Sequence, residues 1–202
     1  MLKLYGNKMS GNCTKVEYVC KLLKLSYEFK EMDFKKDLKT PEFLRINPSG
    51  KIPAIDDNGF TLFESSAIVK YLCAKEKNEL YPTEIKQRAL VDQWIDFSSL
   101  HLGAGVGKVA WNRVFAPNMN LPSDENALKS GLADCDRFLP ILDTQLQKHA
   151  HLAGEKLSLA DINLLGVLMY AEMAKIDLSL YQHVITWRKN LQEMDFYKEV
   201  HA

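Results

Sequence analysis

The tetrad Ser10-Gly11-Asn12-Cys13 joins a strand candidate, Lys3-Leu4-Tyr5, to a helix candidate that begins at Cys13. A helix N-terminus carries unpaired N–H groups and the positive end of the helix dipole, so it stabilises an anion placed there. A Cys-x-x-Cys pair at such a junction would be a redox-active dithiol; here Ser10 stands first and Cys13 second. A serine hydroxyl can donate to a bound thiolate without forming a disulfide with it. A free thiol has a pKa of about 8.5, so little of it is thiolate at neutral pH. Lowering that pKa by about two requires about 2.7 kcal/mol of preferential anion stabilisation, the order of one charge-assisted hydrogen bond plus a helix dipole. The competing reading makes Ser10 an ordinary N-cap. A third gives Cys13 a redox role, which burial on the helix face would silence.

Two further segments carry binding chemistry. Phe63-Glu64-Ser65-Ser66-Ala67-Ile68 sets a carboxylate and a hydroxyl at the start of another helix. That combination suits an amino acid head group, with Glu64 meeting the ammonium and Ser65 with its N–H meeting the carboxylate; an ordinary helix cap is the alternative. In Lys51-Ile52-Pro53 the X-Pro bond falls where a cis peptide is reasonable. A cis Pro53 would turn the backbone groups of Ile52 outward toward a bound peptide, with Lys39 and Lys51 facing its terminal carboxylate. Solvated surface lysines are the alternative for both.

Leu157-Ser158-Leu159-Ala160-Asp161-Ile162 reads as structure. Ser158 and Asp161 have capping-box spacing, and Leu157 and Ile162 have the spacing of a hydrophobic staple. His101, Trp111, Arg113 and Phe115 either line an apolar pocket facing Ser10 or belong to the core and surface of a helical bundle. Gly103, Gly105 and Gly107 weaken a helix locally and permit close packing.

The elements that must hold these residues are readable from periodicity. Val16, Val19, Cys20 and Leu23 fall at helical spacing, Tyr27 to Met32 is a second strand candidate, and a Lys-rich loop runs from Lys35 to Lys39. After the turn cluster Asn47-Pro48-Ser49-Gly50, a strand through Ile55 reaches Asp57-Asn58-Gly59, a hairpin signal, and Phe60 to Phe63 returns. Pro53 should then sit at a strand end or bulge. Ser65 is placed to cap a helix carrying Ile68, Tyr71 and Leu72. The order is βαβ–α–ββα, an α/β domain over residues 1–77, with a linker at 78–85. Residues 86–202 lack strand signals and carry helical patterns at Gln87–Ala110, Asp124–Lys148, Ser158–Ala174 and Val184–Leu191, an all-α bundle.

Composition narrows the partners. Lys+Arg and Asp+Glu are both 26 and no basic tract occurs, which excludes the electrostatic footprint of nucleic acid or an anionic membrane. The opening residues lack a signal-peptide apolar run, and no segment approaches about 18 continuous apolar residues. Cys13, Cys20, Cys73 and Cys135 are scattered, without metal-ligand spacing, as are the five histidines. The cysteines read as reduced thiols, and a cytoplasmic location follows as the expectation.

Taken in order, Ser10-Gly11-Asn12-Cys13, Lys51-Ile52-Pro53, Phe63 to Ile68 and Leu157 to Asp161 resemble the cytosolic glutathione transferase superfamily over essentially the whole chain. That resemblance implies a thioredoxin-like N-terminal domain, a helical C-terminal domain, a homodimer, and glutathione as co-substrate without a metal. Ser10 matches the active-site serine of the serine-type classes (theta, phi and zeta), and no tyrosine lies between Gly6 and Asn12. Asn12 matches an asparagine that contacts the glutathione sulfur in the nu class. Lys39, Ile52, Glu64 and Ser65 match glutathione-binding positions, with Lys51 beside them, and Pro53 matches the family's cis-proline. The implied reaction is attack of the glutathione thiolate on a small hydrophobic electrophile, or reduction of a peroxide or disulfide. The Ser-Ser-Cys signature of the zeta class is absent. Gln93-Trp94-Ile95-Asp96-Phe97 also resembles the transferase-like domain of translation elongation factor 1B gamma, which implies a non-catalytic interaction module as the alternative.

Overall fold

The computed structural model describes residues 1–202 and divides into two compact units, Met1–Tyr81 with Asp195–Ala202, and Pro82–Met194. In the first, β1 (Leu2–Gly6), α1 (Gly11–Leu22) and β2 (Tyr27–Glu31) form the expected strand–helix–strand. Then follow α2 (Pro41–Ile46), β3 (Ala54–Asp57), β4 (Phe60–Phe63) and α3 (Ser65–Lys75). The sheet order is β2-β1-β3-β4, with β1 parallel to β2 and the other pairs antiparallel. Asn58 and Gly59 both take positive φ (54° and 94°), the two-residue turn that an Asn-Gly hairpin requires. Strand β3 opens after Pro53, where the missing N–H costs no ladder bond.

Helix α1 is buried along Cys13 to Cys20, including Lys15 and Glu17. One reason is a last helix, α10 (Asp195–His201), which had no counterpart among the sequence patterns. It belongs to the first unit, whereas the sequence division carries the helical domain to residue 202. The Tyr18 ring meets Phe196 edge-on at 5.2 Å and stacks on Tyr197 at 5.6 Å, while its hydroxyl lies 2.7 Å from His201 Nε2. Lys21 pairs with Glu199 at 3.1 Å.

The second unit is helical throughout. The pattern expected as one helix over Gln87–Ala110 belongs to a longer continuous rod in five pieces: α4 (Ile85–Asp96), a π-helical turn at Phe97–Leu102, α5 (Gly103–Ala110), a second π turn at Trp111–Phe115 and α6 (Ala116–Asn118). Side chains take up carbonyls along the widened stretches: Asn163 Nδ2 donates to Ile95 O at 3.2 Å and Asn112 Nδ2 to Lys108 O at 2.9 Å. Then come α7 (Glu125–Lys148), α8 (Leu159–Met173) and α9 (Gln182–Gln192). Helices α5 and α7 meet backbone to backbone at Gly105 and Gly131: a Cβ on Gly131 would stand 2.7 Å from Gly105 O. Helix α8, apolar and buried from Leu159 through Leu168, is the core helix of this unit. Its start has the expected capping box, and Asp161 is wholly buried within it. Arg113 Nη1 donates to Ala174 O and Lys175 O at 3.0 and 3.3 Å, so it caps the far end of α8, and Phe115 packs on Tyr170. No helix is long and apolar enough to cross a membrane.

Candidate functional site

Sheet register gathers the sequence motifs at one end of the first unit. Tyr5 pairs with Ala54, and Ala54 pairs with Phe63, so these three residues form one row across the sheet. From that row the chain runs into the Ser10 loop after β1, into Pro53 before β3 and into Glu64 after β4. Because β2 is parallel to β1, the loop bearing Lys39 leaves from the same end.

Ser10 occupies the N-cap position of α1 (φ −98°, ψ 106°) and accepts from the Cys13 N–H at 3.4 Å. Ser10 is therefore an N-cap, as the capping reading expects. A cap uses a lone pair of the hydroxyl oxygen, whereas holding a thiolate uses its proton. The loop beneath is tied down: Ser10 N donates to Asn7 O at 2.9 Å, and Asn7 Nδ2 donates to Met32 O at 3.0 Å. Burial pushes the Cys13 thiol up to about 11, against a weaker opposing effect of its bonds to Ser10 and Asn7. Such a thiol is a poor nucleophile at neutral pH. Burial also raises Cys20, Cys73 and Cys135, and all four cysteines are free thiols.

The starts of α1 and α3 touch. Ser65 Oγ donates to Asn12 Oδ1 at 3.4 Å, so two motifs 53 residues apart share one site. Ser65 is the first helical residue of α3 and not its cap. Glu64 holds the cap position with no side-chain cap bond, at φ 70°, in the left-handed region. A non-glycine residue held there costs about 1–3 kcal/mol and signals a position fixed by its surroundings. Its side chain is exposed, so the carboxylate is presented to solvent. Lys15, buried on α1, is lowered to about 8 by that burial, while charges at Cys13 and Glu64 oppose the shift.

The third motif is built by the turn before it. The Ile52–Pro53 bond is cis. Asn47 Nδ2 donates to Lys51 O at 2.6 Å, and its Oδ1 accepts from Ser49 N at 3.0 Å, fixing the approach to Pro53. Ile52 is half-buried against a small core of Met32, Leu38, Phe43 and Ala54. Gly50 has φ +60°, and a Cβ there would lie 2.7 Å from Lys39 Nζ, so the Lys39 amine reaches the Gly50–Lys51 turn. Both lysines are exposed.

His101 and Trp111 belong to the second unit, one in each of its π turns. His101 stacks on Phe138 at 5.1 Å and meets Phe97 edge-on at 5.6 Å, and Trp111 is 45% exposed. Sequence reasoning passed over Asn47 and Lys15. Asn47 lay in plain view in the Asn-Pro-Ser-Gly turn; Lys15 gave no signal, because an isolated lysine on a helix ordinarily faces water.

Comparison with known proteins bears on both units. Residues 1–74 match the model of the glutathione S-transferase N-terminal domain, and residues 104–195 that of the C-terminal domain. The probable glutathione S-transferase GSTF2 of Oryza sativa subsp. japonica is 32% identical over 94% of this chain and 91% of its own length. Glutathione S-transferase 1 of Zea mays is 32% identical over 100% and 96%. Elongation factor 1-gamma 1 of Oryza sativa subsp. japonica is 39% identical over 126 residues, 61% of this chain but 29% of that protein. Among solved structures, glutathione S-transferase-I bound with lactoylglutathione superposes with a TM-score of 0.88 at 31% identity, over 98% and 97% of the two chains. Glutathione S-transferase I from maize, in complex with an atrazine glutathione conjugate, gives 0.87 at 32% over 98% and 95%. With both units matched and relatives aligned along nearly its full length, the chain belongs to the cytosolic glutathione S-transferase superfamily.

Proposed function

We propose that Ser10 is the catalytic residue of a glutathione transferase, its hydroxyl donating to the glutathione sulfur and holding it as thiolate. The observation that carries this reading is the single row Tyr5–Ala54–Phe63, which brings the α1 N-terminus, the Pro53 turn and Glu64 to one end of the sheet. Glu64 meets the ammonium of the γ-glutamyl group and Ser65 its carboxylate, with Asn12 alongside. The backbone of Ile52, after which Pro53 turns the chain, pairs with the peptide, and Lys39 and Lys51 meet the terminal carboxylate. The bound thiol loses its proton to solvent. The thiolate sulfur then attacks an electrophilic carbon, a C–S bond forms, and the leaving group departs with its electron pair. Catalysis is stabilisation and positioning of the thiolate. The atrazine conjugate held by the maize neighbour supports a small hydrophobic electrophile.

The deciding experiment titrates the protein with glutathione while following thiolate absorbance, in wild type and Ser10→Ala. Binding in both, with the thiolate signal lost only in the variant, is the expected result. No binding at millimolar glutathione would exclude the enzyme. It would favour the second reading, an interaction module, which draws on the identity with elongation factor 1-gamma 1.

Glu64 allows a sharper test, because its two contributions have opposite signs. Glu64→Gly relieves a strained φ of 70° but removes the carboxylate. Relief of about 1–3 kcal/mol, less about 0.5–1 for glycine entropy, leaves the variant equally or more stable. Its KM for glutathione should rise about tenfold or more, the worth of one charge-assisted hydrogen bond. Loss of both stability and affinity would mean that Glu64 serves the fold.

We further propose a homodimer in the cytoplasm. Phe60 and Phe63 are exposed on β4, the edge strand of the sheet, a place where unpaired apolar strands are normally covered. A monomer in sedimentation equilibrium at micromolar protein would exclude the dimer.

A further inference from the structure

Glu17 is an unexpected residue in the middle of α1: a carboxylate with 2% of its side chain exposed, on a helix whose N-terminus must favour an anion. Its Oε2 accepts from Lys8 Nζ at 2.5 Å and from the Tyr27 hydroxyl at 3.2 Å, while Oε1 has no hydrogen-bond partner within the protein. Lys8 reaches it from the loop between β1 and α1, two residues before Ser10, and lies over the Phe29 ring at 4.5 Å. A pair whose carboxylate is buried with one oxygen unpaired, while its lysine stays 55% exposed, is a poor source of stability, since the desolvation of the carboxylate offsets much of a solvent-screened attraction. Its value must lie in what it fixes.

Two things follow from the geometry. The loop from Asn7 to Ser10 is held at Asn7 by Met32 O and at Lys8 by Glu17, and Ser10 itself caps α1. The pair also balances charge. An uncompensated carboxylate within α1 would oppose any anion at the helix start, and Glu17 indeed acts to raise the Cys13, Cys20 and Tyr27 groups around it. The remaining titratable groups nearby do not replace Lys8. Lys21 is engaged by Glu199 of α10, Tyr18 by His201, Cys73 of α3 couples to Cys20, and Lys15 couples to Cys13 and Glu64.

We propose that Lys8 is a positioning residue for thiolate formation: through its ion pair with Glu17 it holds the Ser10 loop and cancels the buried negative charge of α1. The inference rests on the Ser10 reading and is tested separately from it. In the full-length protein saturated with glutathione, the thiolate absorbance is titrated against pH for wild type, Lys8→Met, Lys8→Arg and Glu17→Gln, with Ser10→Ala run alongside. Lys8→Met should raise the pKa of the bound thiol by about 0.5–1, a three- to tenfold loss of thiolate below that pKa. Lys8→Arg should restore it, and Glu17→Gln should lower it. The opposite signs keep the test decisive even where one variant folds poorly, because a purely structural pair would shift both variants alike or neither. An unmoved thiol pKa in Lys8→Met, or Glu17→Gln moving upward with it, overturns the proposal. If Ser10→Ala shifts the thiol and Lys8→Met does not, only the role of Lys8 falls; if Ser10→Ala leaves it unchanged, the Ser10 reading falls by itself.

Discussion

Ser10→Asp is expected to give a protein that folds as well as wild type and conjugates almost nothing. Aspartate is as good an N-cap as serine, so the bond from the Cys13 N–H survives in kind. What changes is the charge beside the sulfur. Two unit charges about 4 Å apart repel by about 4 kcal/mol at an effective dielectric of about 20, enough to raise the bound thiol by about two to three in pKa. Thiolate at neutral pH then falls at least about a hundredfold, and kcat/KM falls with it. Ser10→Ala loses both contributions: the cap, at about 0.5–2 kcal/mol of stability, and the donor, at about 1.5–3 kcal/mol of thiolate stabilisation, while the helix dipole remains. Ser10→Thr keeps both. Thermal midpoints and kcat/KM measured across the three variants separate the roles. Stability should rank serine, aspartate and threonine together above alanine, while activity sets serine and threonine above the other two. If activity tracked stability through the series, Ser10 would be a cap and nothing more.

Asp161→Ala should cost about 3–5 kcal/mol and lower Tm by about 10 °C or more. The carboxylate is wholly buried and serves donors from three parts of the second unit. Oδ1 accepts from Leu152 N and from Trp187 Nε1, each at 3.0 Å; Oδ2 accepts from Ser158 N at 2.9 Å and Ser158 Oγ at 3.0 Å. Truncation leaves these groups buried without a partner, which is costlier than losing the bonds alone. Asp161→Asn should recover only part of the loss, because its NH2 must face one pair of donors. Trp187 fluorescence and a thermal melt read both variants. A change under about 1 kcal/mol would show that the tie from α8 to Leu152 and Trp187 carries little of the stability.

Much of the fold was open to reading because each element has its own local mark. Asn58-Gly59 set the hairpin, Pro53 the start of β3, and Ser158 with Asp161 the start of α8. The π turns were not readable: each takes only one extra residue into a turn, and a single phase slip near Phe97 or Trp111 does not stand out from the ordinary scatter of apolar positions along a helix. Within the candidate site, the motifs were legible as segments, but their meeting was not. The row Tyr5–Ala54–Phe63 depends on strand register, and the bond between Ser65 and Asn12 on how α3 packs. Glu64 gave no hint of its positive φ, since a carboxylate before a helix ordinarily takes an extended cap conformation. Lys8 and Glu17 gave no signal either: charges on a short loop and a helix normally face water, and only tertiary packing buries one of them.

The return of α10 to α1 bears on the order in which the protein can be made. A chain emerging from the ribosome generally folds its first domain before the second is complete. Here residues 1–81 emerge without the side chains of α10 that meet Tyr18, which arrive only with Phe196, Tyr197 and His201. The helix that presents Ser10 keeps an uncovered aromatic face while the whole of Pro82–Met194 is synthesised. The unit that carries Ser10 is thus begun before Pro82–Met194 is translated and completed only after it, so its completion vouches for the synthesis of everything in between.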